Sequence, residues 1–125
     1  MDNAALVMPA IESGKQLLEG LDEKQFGVEG AFWFYREESE EWRLYIATRL
    51  VRQLGPREAY SRVLNVLKEK HIEGIDLSRI SVVDVTDGLV TILRLALGRD
   101  ASDISVNGNS VNGVYIRAAH IYRIS

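Results

Sequence analysis

The chain reads as α+β (or α/β): one mixed sheet of five to six strands with three helices, in the order α-β-β-α-β-α-β-β(-β). Three observations lead there. Apolar residues recur at spacings of three and four in three separate segments. Runs rich in Val, Ile and aromatic residues lie between those segments. Turn residues punctuate the boundaries: Pro56, Gly98 and two Asn-Gly pairs. With 125 residues, the chain is long enough for one globular domain, 1–125, and short for two.

Residues 3–24 carry a helical stripe of Ile11, Gly14, Leu17, Leu18 and Leu21. Pro9 suits a first turn, so the firm part of this helix starts near it. Gly20 costs about 1 kcal/mol relative to Ala, which the stripe outweighs. Residues 28–36 and 41–49 are strands flanking the acidic tetrapeptide EESE, which belongs in an exposed hairpin turn. Four aromatics, Phe32, Trp33, Phe34 and Tyr35, stand consecutively in the first strand. Since neighbours on a strand point to opposite faces, both faces are aromatic.

Two registers are open to this hairpin. A two-residue turn at Glu38–Ser39 pairs Tyr35 with Trp42 and Trp33 with Leu44, and leaves Phe32, Phe34, Arg43 and Tyr45 on the other face. A slip of one residue instead groups Trp33, Tyr35, Arg43, Tyr45 and Arg49. The second is preferred, because it separates pure hydrocarbon from rings with polar handles.

GPREAYSRVLNVLKEKHI starts a helix with Pro56 at its first position. Tyr60, Val63, Leu64, Leu67 and His71 form its buried stripe, and Glu58 and Arg62 form an i,i+4 pair. RISVVDV follows a loop and reads as a short strand buried on both faces. TDGLVTILRLALG is a third helix, capped by Thr86 or Asp87 and closed by Gly98. It is apolar enough to lie deep in the fold or at a subunit contact. At the C-terminus a turn around Asn107–Ser110 is favoured, with strands 103–107 and 111–117 and a last strand over 119–124. The strand-helix-strand units make the second, third and fourth strands mostly parallel.

The formal net charge is −3, which sets up no field to gather nucleic acid. Cysteine is absent, which rules out disulfides and thiolate chemistry. The acid near the N-terminus argues against a signal peptide. These features lead to the expectation of a cytoplasmic protein with no membrane segment, no metal and no cofactor.

Two surfaces are singled out. Trp33, Tyr35, Arg43 and Tyr45 form a candidate interaction surface, since three rings left wet forfeit several kcal/mol each at roughly 25 cal/mol/Å². The partner is a second copy of the chain (a homodimer) or a larger protein. Trp33, Tyr35 and Arg43 also suit a stacking platform for single-stranded nucleic acid, against which the acidic turn and net charge count. Asp84, Asp87, Arg94 and His120 form a candidate ligand site at the 84–88 strand-to-helix junction, where open sheets place ligands; it would make the chain a small-molecule or anion-binding protein or a small enzyme. No catalytic constellation is visible, so enzymatic activity is not favoured.

EWRLYIATRL followed by GPREAY, and GVYIRAAHIYRI near the end, resemble small uncharacterised bacterial proteins over residues 31–124. The resemblance implies a bacterial cytoplasmic origin and a self-contained domain. It brings no activity and no site residue.

Overall fold

The structure, a computed structural model, describes residue 6 and residues 8–125. Its elements are α1 (Met8–Glu23), β1 (Val28–Arg36), β2 (Glu41–Thr48), α2 (Leu50–Leu54), α3 (Pro56–Glu69), a 3₁₀ turn (Leu77–Arg79), β3 (Ile80–Val83), α4 (Gly88–Leu97), β4 (Ala101–Val111) and β5 (Val114–Ile124). The fold is α+β, with one five-stranded sheet in the order β3-β2-β1-β5-β4. The start expected for the first helix, residues 3–7, lies outside the described residues except for Leu6.

α1 and α3 cover one face of the sheet. Leu17, Leu18 and Leu21 from α1 and Ala59, Val63, Val66 and Leu67 from α3 pack on Ala31, Trp33, Leu44, Ile46, Ile80 and Val82. Gly20 has a packing reason: an added Cβ would stand 2.6 Å from Val66 Cγ1. α4 covers the other face, placing Val90 and Leu93 on Phe32, Tyr45, Ala47, Ile121 and Ile124. Asp87 caps this helix by accepting from the Leu89 and Val90 amides, and Gly98 closes it with φ 84°. Burial is limited to Val90, Leu93 and Ala96, so α4 is amphipathic by position although nearly all apolar by composition. The Glu58–Arg62 pair forms at 3.0 Å.

Several expectations are corrected. The β1–β2 ladder pairs Tyr35 with Trp42, Trp33 with Leu44 and Arg36 with Glu41, so the other register holds. Polar handles do not drive these rings toward water, because they are satisfied inside: Trp33 Nε1 donates to Tyr122 Oη at 2.9 Å, and Tyr45 Oη accepts from Arg36 at 2.8 Å. Only β2 and β3 pair in parallel. α4 carries the chain from β3 at one edge of the sheet to β4 at the opposite edge, so β3 is an edge strand, with Ser81 and Val83 half-buried. The C-terminal turn is Asn112–Gly113, with φ of 50° and 83°, the mirror-turn geometry that matches strand twist. It joins two eleven-residue strands. Asn107–Gly108 sits inside β4, where Gly108 takes φ 60° without ending the strand. His71 is exposed just past the end of α3, at φ 53°, and is not on the buried stripe.

Candidate functional site

The expected aromatic surface is enclosed by the chain itself. Trp33, Tyr35 and Tyr45 are only 4%, 6% and 5% exposed. Trp33 lies beneath α1 and α3, and its indole joins Tyr122, whose hydroxyl in turn donates to the Ile11 carbonyl at 2.6 Å. Tyr45 stacks on Phe32 with centroids 5.2 Å apart. Tyr35 meets Trp42 edge-on at 5.6 Å and carries the Arg117 guanidinium over its ring at 5.8 Å. Arg43 donates to Ser81 Oγ at 2.7 Å. The rings cover one another and α4 closes the second face, so three helices suffice. No open face of Trp33, Tyr35 and Tyr45 together is left for docking or for base stacking.

The structure scatters the four residues proposed for the 84–88 junction. Asp84 accepts from Arg52 at 2.7 Å and from the Thr86 hydroxyl. The Thr86 hydroxyl, with Arg52 assisting, holds its carboxyl below the usual carboxylate range. Its positive partner is thus already supplied by the chain, and the cavity beside it is lined by Arg49, Arg52, Gln53 and Val85. Asp87 is committed to capping α4. Arg94 donates to the Ser125 carbonyl at 2.9 Å. His120 lies with its Nδ1 2.7 Å from Ser105 Oγ and meets Tyr122 edge-on at 5.0 Å. Burial lowers the pKa of its imidazole. Among the described residues, no group of three or more His, Cys, Asp or Glu could hold a metal ion.

A different site does come together, and Asp87 and Gly88 form one wall of it. The β1–β5 ladder ends at Phe34–Ala119, whereas β1 runs on to Arg36 and β5 begins at Val114. Past that point β1 and β5 no longer pair, and a cleft of about 490 Å³ opens between the β1–β2 turn, the start of β5 and the start of α4. This is within the roughly 300–1,000 Å³ typical of ligand pockets. Its apolar lining is Phe34, Leu89 and the rings of Tyr45 and Tyr115. Its cations are Arg36 and Arg117, and its acids, besides Asp87, are Glu37 and Glu38.

The two arginines are oriented by aromatic groups more than by their acids. Arg36 donates to the buried Tyr45 hydroxyl, an interaction that raises its already high pKa. Arg117 lies over the buried Tyr35 ring. Their acidic neighbours are looser: Arg36–Glu38 at 3.7 Å and Arg117–Glu37 at 3.6 Å, all with exposed side chains. Exposed pairs of this kind contribute about 0–1 kcal/mol.

Sequence reasoning missed Arg36, Arg117 and Tyr115, which stand some eighty residues apart along the chain (positions 36 and 117 or 115) and meet only because β5 pairs with β1. The one local signal was the Asn112–Gly113 turn, which places Tyr115 near a hairpin end. Among the described residues, no helix is long and apolar enough to cross a membrane. No family model, curated protein or solved structure matches the chain.

Proposed function

We propose that this chain is a non-catalytic protein-interaction module that receives a short segment of a larger partner protein in the cleft between the β1–β2 turn and the start of β5. The carrying observation is the end of the β1–β5 ladder at Phe34–Ala119, which leaves a cleft with an apolar lining and two pre-oriented arginines. Its volume suits a few residues of a partner rather than a whole docked helix. Binding is favoured over chemistry because His120 and Asp84, the acid-base pair of the expected 84–88 site, lie outside the cleft and are engaged with Ser105 and with Arg52 and Thr86. We place the protein in the bacterial cytoplasm, a reading supported by its cysteine-free composition and by the resemblance over residues 31–124.

A phage-displayed random peptide library, selected on the wild type and on Gly88→Trp, tests the module. Gly88 lines the cleft and a Cβ there meets nothing within 4 Å, so a side chain can start at this position; Gly88→Trp is the bulky probe of the cleft, with unchanged circular dichroism as its folding control. Sequences enriched on the wild type should be lost on the variant. Equal enrichment on both, or none on the wild type, defeats the reading.

A second reading, self-association through α4, is favoured by Ile92 and Leu95, which are 46% and 73% exposed on its outer side. Light scattering should then detect dimers that Leu95→Lys abolishes. A monomer at every concentration removes it.

A further inference from the structure

The chemistry of the cleft narrows what the partner segment must carry, an inference that rests on the interaction reading above. Arg36 and Arg117 are held in place by side chains other than their counter-ions. The Tyr45 hydroxyl fixes one guanidinium at 2.8 Å, and the Tyr35 ring underlies the other. Both tyrosines are buried, so neither support depends on the turn. Glu37 and Glu38, by contrast, sit on the exposed turn, at 3.6 and 3.7 Å from the guanidinium Nε atoms, beyond hydrogen-bond range. Asp87, the third acid, directs one carboxylate oxygen, Oδ2, to the amides of Leu89 and Val90 at 3.0 and 3.4 Å, and pairs with neither arginine. The cleft therefore presents two guanidinium groups whose planar donors suit carboxylates and whose present partners are loosely held.

We infer that the cleft takes an acidic segment of a partner protein, and that Glu37 and Glu38 are internal stand-ins for its carboxylates, competing with it until it binds. The apolar floor of Phe34 and Leu89 then receives the side chain that lies between the acids of the segment. Occupancy frees the turn carboxylates to water, which costs little because they are already exposed.

The test uses the full chain and three fluorescein-labelled hexapeptides in which Val alternates with Glu, Gln or Lys, read by anisotropy. The Glu peptide should bind at least about tenfold more tightly than the Gln peptide, and the Lys peptide more weakly than either. Neutralising the stand-ins, Glu37→Gln with Glu38→Gln, should tighten binding of the Glu peptide several-fold, and Arg117→Gln should weaken it about tenfold. Equal binding of the Glu and Gln peptides, with no response to either variant, overturns the acidic assignment and leaves the interaction module standing. No binding of any of the three at about 1 mM overturns both. Orthophosphate displacing the Glu peptide at equal concentration would make this a small-anion site and overturn the segment assignment. The turn substitutions are exposed on a loop, so unchanged circular dichroism serves as the folding control.

Discussion

Tyr122 shows how one side chain ties distant parts of the chain together. Its hydroxyl accepts from Trp33 Nε1 and donates to the Ile11 carbonyl, which joins β5, β1 and α1 at a single buried oxygen. Desolvation accordingly raises its pKa, so the phenol stays protonated and keeps donating. Tyr122→Phe leaves the indole donor buried without a partner and should destabilise the fold by about 1–3 kcal/mol. Urea titration should show a lower midpoint at an unchanged slope; an unchanged midpoint would mean water replaces the hydroxyl. His120 makes a different prediction. Burial lowers its folded pKa below the ordinary 6.5, with Asp103 only partly opposing this. Below the unfolded pKa the unfolded chain binds a proton that the folded chain resists, so stability falls as pH drops from about 6.5 toward the lower folded value. His120→Asn should flatten that part of the stability–pH curve, and an identical slope in the variant would contradict it.

At the scale of elements, the C-terminal hairpin depends on its turn. Asn112 and Gly113 both adopt positive φ, which a type I′ turn requires and which most side chains resist. The turn is also tied to α4, since the Asn112 side-chain amide donates to the Ala96 carbonyl at 2.7 Å. Gly113→Ala, at φ 83°, should cost about 1–2 kcal/mol. Thermal melts read the loss, and an unchanged Tm would show that the turn relaxes into another type. The edge strand β4 has positive φ at Asp103 and Gly108 while keeping its register with β5, and irregular backbone on an edge discourages pairing with other edges. Asp87→Ala removes the α4 cap and should cost about 1 kcal/mol. The same hydrogen–deuterium exchange experiment that localises this loss to the first turn of α4 would refute it if protection there did not change.

Among the described residues, two large cores lie on opposite faces of one sheet, with a small third cluster of Tyr35, Ala118 and Trp42. Trp33 and the helices α1 and α3 belong to one core, and Phe32, Tyr45 and α4 to the other. Because β1, β2 and β5 contribute to both, neither core can open without disturbing the strands that build its neighbour. Unfolding should therefore be a single cooperative transition. Tryptophan fluorescence, which reports only on the α1–α3 side through Trp33 and Trp42, should coincide with far-ultraviolet circular dichroism in urea. Separated midpoints would show that α4 and its core melt independently.

What the sequence determined by itself was local. The periodicity of α1 and α3, a cap for α4 at Thr86 or Asp87, the Gly98 stop and the two strands of the aromatic hairpin follow from propensities and spacings within a few residues. The α+β class follows from their order. What only tertiary structure decided was non-local: which of two Asn-Gly pairs turns, which hairpin register holds, that β4 and β3 occupy opposite edges, and that Arg36 meets Tyr115 and Arg117 across a cleft. The reason is physical. An alternating strand pattern specifies two faces but not which neighbour or helix will cover them. A ring with a polar atom is indifferent between water and core until the partner for that atom is known. For Trp33 that partner is Tyr122, eighty-nine positions away in the chain, and only folding brings it within reach.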